Sequence, residues 1–255
     1  MSMRLQFIGR QDFIRDYWDC RPGDHVNCIG STGGGKSHLL YSLADVTMAR
    51  YPDLRFTSLM PKPRDSAVAE WGDRLGLKEI DSWPPRKHFW ENEPRGHLLW
   101  PKHDINDEER NRANLAELFS KCMNSEYGRG DSITFADDAY LIGVIYGLNM
   151  LLDRHWIAGR SSGAGLWTSL QKPSGTVKGA VSSFAYDAPT HLFFTRDNDA
   201  RNLKRISEIA ISQLDPAEIA EVVKHLRVER IGDSNVSEML YINRGGPHLA
   251  IVGIH

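Results

Sequence analysis

Residues 30–37 read Gly-Ser-Thr-Gly-Gly-Gly-Lys-Ser, and no other segment restricts the chain so tightly. The run fills every fixed position of G-x-x-x-x-G-K-[ST]. Its surroundings agree. His25–Ile29 reads as a strand leading in. Lys36–Arg50 reads as a helix leading out, with Leu39, Leu40, Leu43 and Val46 at helical spacing and Pro52 beyond its end. Glycines let a backbone turn its N–H groups inward, and the opening helix aims its positive end at the same point. Such a turn cradles phosphate oxygens. The motif assigns Gly30, Ser31, Thr32, Gly33, Gly34, Gly35, Lys36, Ser37 and the adjacent His38 to nucleotide binding. Lys36 is expected on the β- and γ-phosphates and the Ser37 hydroxyl on Mg²⁺, so ATP and Mg²⁺ are the expected ligands.

A strand–loop–helix unit of this kind needs a sheet around it. The chain has 255 residues, 41% hydrophobic and 25% charged, enough for one large α/β domain with an ordinary core. Apolar segments alternate with helical patterns, which predicts a largely parallel sheet. Strands are expected at Arg55–Met60, His97–Trp100, Ile133–Ala136, Gly165–Leu170 and Thr190–Thr195. Helices are expected at Asp65–Leu75, at 106–127 with Asn106 as cap and Gly128 as stop, at Asp199–Ala210 and at Asp215–Leu226. Residues 78–96 read as an excursion. Glu238–Asn243 and His248–Ile254 read as a hairpin turned by Arg244-Gly-Gly-Pro247. The division expected is an ATPase domain over 1–210, with 211–255 as a small helix-and-hairpin appendage packed on it.

Composition excludes several classes. A net charge of −2 argues against a broad nucleic-acid coat, but not against a ring gripping DNA with a few residues per copy. Cys20, Cys28 and Cys122 form neither a disulfide framework nor a metal spacing, so a reducing, cytoplasmic setting is expected. Met1–Arg10 lacks the apolar stretch of a leader. The most apolar run, Ala139–Leu152, is too short to span a bilayer and reads as a buried helix, so no membrane is expected.

Two further segments carry chemistry. Ile133-Thr-Phe-Ala-Asp-Asp138 is an apolar strand ending in two carboxylates. A parallel strand beside the phosphate-loop strand delivers them to the metal, Asp137 to hold it through water and Asp138 to orient or deprotonate the attacking water. The plainer alternative is a solvated pair capping the next helix. In Arg160-Ser-Ser-Gly-Ala-Gly-Leu-Trp-Thr-Ser-Leu-Gln171-Lys-Pro-Ser, a strand ends on Gln171, placed to bond both the γ-phosphate and the lytic water.

This ordered set resembles the FtsK/HerA superfamily of ring-shaped P-loop ATPases, over roughly residues 20 to 210. The resemblance rests on the complete phosphate loop, on Asp137 as the metal aspartate, and on Arg160 before a glycine-led strand. It also rests on Gln171, Pro173 and Ser174 at that strand's end, and on the later segment 190–203. It implies a RecA-like (ASCE) P-loop NTPase fold with a mostly parallel central sheet flanked by helices. It also implies that Arg160 acts in the neighbouring subunit's site. The chain departs from the pattern where Asp138 stands for Glu, Leu170 for Thr and Lys172 for Arg. Without a membrane segment or a winged-helix tail, it is most similar to the short packaging ATPases of viruses and phages. The implied partners are double-stranded DNA, further copies of itself in a pentameric or hexameric ring, and a portal or capsid protein. The implied place is the cytoplasm, that of the host if the source is viral.

Phosphoryl transfer spreads charge over equatorial oxygens, and an arginine supplied in trans stabilises it. The bland alternative for Arg160 is a surface salt bridge; Arg154 and Arg196 are substitutes for the trans role. Lys172 and Lys178, after Gln171, suit contacts to DNA backbone phosphates, or else belong to a plain polar loop. Tyr17 and Arg21 are candidates for the adenine pocket. Trp83, Phe89, Trp90 and Trp100 read as a satellite core or subunit contact rather than a base-stacking groove. Competing functions are transport of protein or filament, and an ATP-dependent switch with little turnover. A small-molecule kinase is disfavoured because no arginine-rich lid follows the core.

Overall fold

A computed structural model describes residues 5–86, 94–104, 106–171, 182–210, 215–232, 234–246 and 248–255. The strands are β1 (Gln6–Ile8), β2 (Val26–Ile29), β3 (Arg55–Leu59), β4 (Lys78–Ile80), β5 (Gly96–Leu99), β6 (Ser132–Ala136), β7 (Ala164–Leu170), β8 (His191–Thr195), β9 (Val228–Ile231), β10 (Ser234–Ser237), β11 (Met239–Asn243) and β12 (His248–Val252). The helices are α1 (Arg10–Asp12), α2 (Lys36–Arg50), α3 (Ser66–Leu75), α4 (Glu108–Arg129), α5 (Asn149–Ala158), α6 (Phe184–Asp187), α7 (Ala200–Ile209) and α8 (Pro216–His225).

Ten strands form one sheet in the order β1-β12-β11-β8-β2-β7-β6-β3-β5-β4. From β8 to β4 every pairing is parallel. The C-terminal hairpin β11–β12 joins this sheet by running antiparallel to β8, and β1 closes the edge parallel to β12. β9 and β10 pair only with each other.

Parallel strands buried on both faces read as continuous apolar runs, and β6 and β7 are buried at every position. The two-residue period of a strand then divides their side chains between two cores. Val26, Cys28, Ile133, Phe135 and Trp167 pack on one face with Leu39, Leu40 and Leu43 of α2. Ile29, Ala136, Leu166 and Leu170 pack on the other with Phe119, Leu152 and Ile206. Each of the three α2 leucines is fully buried, a stabilisation of about 2 kcal/mol apiece. That burial holds the phosphate-loop helix against its strand.

Several expectations change. The acidic strand is not beside the phosphate-loop strand: β7 lies between β2 and β6. The run 139–152 is not one buried helix. A wide π-type turn at Leu141–Ile145 gives way at Gly147 (φ 74°) before α5 starts, and Tyr140, Ile145 and Met150 are exposed. Asp107, not Asn106, caps α4 by accepting from the Arg110 N–H, and the helix runs past Gly128 to Arg129. Residues 78–80 of the expected excursion form the edge strand β4. Among the aromatic residues, Trp83 lies in the core and Trp100 packs on the other core, whereas Phe89 and Trp90 lie outside the described residues. No helix among the described residues is long and apolar enough to cross a membrane.

Candidate nucleotide site

The carboxyl ends of β2, β6 and β7 open into one cleft of about 410 Å³, within the size range of small-ligand pockets. Its lining includes Thr32, Gly33, Gly35, Lys36, Ser37, His38, Asp137, Asp138 and Gln171. Residues far apart in sequence meet here because parallel strands all end on the same edge.

Gly30 opens the loop in a conformation that a side chain would not tolerate. Its φ is 153°, and a Cβ there would lie 1.6 Å from Thr195 Oγ1 at the end of β8. Gly35, at φ 75°, starts α2 with no side-chain cap. The first-turn N–H groups of α2 therefore lack an intrahelical partner and present an anion-binding end. Lys36 Nζ is folded over the loop, donating to the carbonyls of Gly30 and Ser31 at 2.8 Å each. Burial pushes its pKa below the ordinary lysine value, against the upward pull of Cys28, Asp137 and Asp138. His38 is likewise lowered, first by burial and then by Arg10 and Arg74, and packs edge-on to Trp71.

Asp137 is buried, and its Oδ1 accepts from Ser37 Oγ at 2.9 Å and from Ser169 Oγ at 2.8 Å. Its Oδ2 is buried with no hydrogen-bond partner among the described residues. A hydroxyl and a carboxylate, both hard oxygen donors, with one carboxylate oxygen uncommitted, fit a magnesium ion. Asp138 takes the left-handed conformation at φ 66°, uncommon for a side-chain-bearing residue and tolerated best by Asn and Asp. Its N–H donates to Ser169 Oγ at 3.0 Å, its Oδ1 accepts from the Leu141 N–H at 3.2 Å, and its Oδ2 accepts from Gln171 Nε2 at 3.3 Å. Asp138 thus both caps the following turn and pairs with Gln171. The capping and site readings of this residue coexist.

Lys36, Ser37, Asp137, Asp138 and Gln171 are brought together; Arg160 is not. Arg160 sits in the turn before β7, at the opposite edge of the sheet. Strand rise puts the two ends of β7 roughly 20 Å apart, beyond the reach of an arginine side chain. Arg154 is engaged with Asn124 at 2.5 Å and lies over the Tyr127 ring, while Arg196 is exposed just after β8. Lys172, Lys178, Pro173 and Ser174 lie outside the described residues.

Neither Tyr17 nor Arg21 lines the cleft. Arg10, Asn235 and Val236 do. Arg10 is buried and ties chain ends together, donating to Ser237 O at 2.7 Å and Gly253 O at 3.1 Å. This brings the β9–β10 hairpin over the phosphate loop, where Asn235 O lies 3.5 Å from the position of a Cβ on Gly35. Ser169, Lys62 and Asn235 also escape sequence reasoning. A serine inside a buried strand was the available signal for Ser169; the other two carry none.

No family model matches the sequence, and no curated protein is significantly similar to it. Solved structures share its fold. One is the DNA-packaging ATPase B204 from Sulfolobus turreted icosahedral virus, with a TM-score of 0.60 and 18% identity over 92% of this chain and 100% of that one. The genome packaging NTPase B204 from Sulfolobus turreted icosahedral virus 2, bound to AMPPCP, gives 0.58 and 17% over 92% and 100%. VirB4 of Thermoanaerobacter pseudethanolicus gives 0.61 and 10% over 91% and 89%. The mixed α/β fold with a mostly parallel sheet that they share is the one that the resemblance implied.

Proposed function

We propose that this chain is an ATP-hydrolysing motor that moves double-stranded DNA, of the viral or phage genome-packaging kind, working as a homo-oligomeric ring. The observation that carries this is the Ser37–Asp137 contact at 2.9 Å, with Asp137 Oδ2 uncommitted beside Lys36. Nucleotide phosphates belong on the first-turn N–H groups of α2, with Lys36 turning from its loop carbonyls to the β- and γ-phosphates. Ser37 and Asp137 are the residues that would hold Mg²⁺. The chemistry that it would supply there is neutralisation of phosphate charge.

Asp138 accepts a proton from the attacking water as its oxygen bonds to the γ-phosphorus and ADP leaves. Gln171, bonded to Asp138 at 3.3 Å, orients that water and reports its loss to the chain beyond. Arg160 serves the neighbouring copy's site, since its own cleft is at the far edge of the sheet. The segment holding Lys172 and Lys178 follows Gln171 directly and is assigned to the DNA backbone. A portal or capsid protein is the proposed docking partner. Residues 1–210 are proposed as the ATPase core and 211–255 as an appendage whose hairpin β11–β12 extends the same sheet.

A second reading, an ATP-binding switch with slow turnover, has one specific support. Asp138 is a short carboxylate already engaged by Leu141 N–H and Gln171.

The deciding experiment measures ATPase rate with and without double-stranded DNA, beside the oligomeric mass. Rings whose turnover rises with DNA, and a Lys36→Ala variant that neither binds nor turns over ATP, are expected. Normal turnover in Lys36→Ala would sink the site assignment. Turnover indifferent to DNA would favour the transport class, and tight binding without turnover the switch.

A further inference from the structure

The edge of the sheet opposite the cleft carries a second polar cluster. Asp24, in the turn before β2, is 6% exposed. A buried carboxylate is costly unless its oxygens are satisfied. Here Oδ2 accepts from the Arg21 N–H at 2.9 Å and Oδ1 from Thr190 Oγ1 at 3.2 Å. His191 Nε2 stands 3.7 Å from Oδ2, and Arg160 Nε stands 3.8 Å from Oδ1. His191 is itself held, its Nδ1 2.8 Å from the Tyr241 hydroxyl and its ring stacked on that of Tyr241. Burial raises the Asp24 pKa, but the His191, Arg21 and Arg160 interactions outweigh it, leaving the carboxyl below its ordinary value and therefore charged at neutral pH.

Arg21 meets Asp24 only through its backbone N–H; of the side chains that face the carboxylate, Arg160 is the charged one that reaches far into solvent, 68% exposed. No hydrogen bond engages its terminal nitrogens among the described residues. Its backbone is fixed. A Cβ on Gly23 (φ 86°) would lie 2.8 Å from Arg160 O, and one on Gly159 would lie 2.3 Å from Ala164 O, so the two turns touch backbone to backbone. An anchored backbone and a buried anion at Nε leave the outer fork of the guanidinium projecting from the surface. The ion pair at Nε favours rotamers that keep the guanidinium beside Asp24 while its outer fork stays in solvent.

We infer that Asp24 is a positioning residue: buttressed by Thr190 and His191, it aims Arg160 at the phosphate site of the adjoining copy. The inference rests on the reading of Arg160 as a trans-acting arginine, and the test separates the two. Misplacing a catalytic group by about an ångström costs on the order of a hundredfold in rate. Asp24→Asn is therefore expected to lower kcat by about 10- to 100-fold while the affinity of its own cleft for a fluorescent ATP analogue stays within about twofold.

Three further measurements use full-length rings. In an Arg160→Ala background, Asp24→Asn should cost nothing more, because the group it aims is gone. Mixed with Asp138→Asn subunits, which offer an intact Arg160 and Asp24, both Arg160→Ala and Asp24→Asn subunits should regain activity. Rescue of Arg160→Ala but not of Asp24→Asn, or an additive loss in the double variant, would overturn the role of Asp24 and leave Arg160 standing. No rescue of Arg160→Ala in rings shown to mix would overturn both.

Should Asp24→Asn fail to assemble, Thr190→Val removes one donor from the same carboxylate with less disturbance. It should lower kcat about threefold, as expected for one ordinary hydrogen bond, and only when Arg160 is present. No loss, or a loss that persists without Arg160, overturns the inference.

Discussion

Replacing Ser169 by alanine tests how the acidic strand end is held. Ser169 is 4% exposed in the strand between β2 and β6. Its hydroxyl donates to Asp137 Oδ1 at 2.8 Å and accepts from the Asp138 N–H at 3.0 Å. Alanine removes a charge-assisted bond worth about 1.5–3 kcal/mol and strands a buried N–H at a further cost of about 1–3 kcal/mol. Allowing for partial relaxation, a net loss of about 3 kcal/mol follows, and the Tm should fall by roughly 6–12 °C in a domain of this size. The functional effect runs through Asp137. With one of its two hydroxyl partners gone, the carboxylate is free to turn, and removing an outer-shell partner typically weakens metal affinity about 10- to 100-fold. Thermal unfolding without nucleotide or metal reads the first effect. The Mg²⁺ concentration for half-maximal ATP hydrolysis reads the second. A Tm within about 1 °C of the unsubstituted chain together with an unmoved Mg²⁺ midpoint would refute the reasoning, since a buried bond of this kind cannot be lost at no cost.

Two other predictions concern residues outside the phosphate motif. His25 is buried and accepts the Leu166 N–H at 2.9 Å on Nδ1, which requires the neutral ring. Burial, then the nearby His155, push its pKa from 6.5 to about 4. Between those values the unfolded chain binds a proton that the folded chain refuses. Stability is thus complete above about pH 6.5 and falls as pH drops toward 4, by about 2 kcal/mol at pH 5. Urea unfolding at pH 7.5 and 5.0 checks this, and an undiminished pH slope in His25→Gln would contradict it. Lys62 lines the cleft on a loop clamped by Trp100 Nε1 to Lys62 O at 2.8 Å and by the Tyr146 hydroxyl to Pro61 O at 3.0 Å. Lys62→Ala should weaken ATP about 10-fold more than ADP, the size expected for one bond to a charged group; equal losses for both nucleotides would place Lys62 away from the γ-phosphate.

The sequence determined the pieces whose signals are local. A glycine loop before it and Pro52 beyond it bound α2 at Lys36 and Arg50, and the structure has the helix there. Asp65, Asp199 and Asp215, read as the first residues of three helices, are their caps, because a short side chain bonding its own next turn is a local event. The phosphate loop, Asp137 and Gln171 are legible for the same reason: each is a strand end or turn that its neighbours define.

Strand order is not local. That β7 inserts between β2 and β6 depends on a pairing with β2 across more than a hundred residues of chain as well as on the nearer one with β6, and nothing in the apolar runs ranks one neighbour over another. The short strands β1 and β4, of three residues each, are too brief to show a period. Ser169, Lys62 and Asn235 became site residues only when the chain folded around the cleft. The run 139–152 misled because its composition suits burial, while Gly147 breaks it into two pieces. The sequence therefore settled that Gly30–Ser37 turns the chain from β2 into α2. Tertiary structure alone decided that Asp137 meets Ser37 and Ser169 at one point, and that Arg160, 3.8 Å from Asp24, lies on the edge away from its own cleft. Both follow from parallel strands, which gather every carboxyl end on one edge and every amino end on the other.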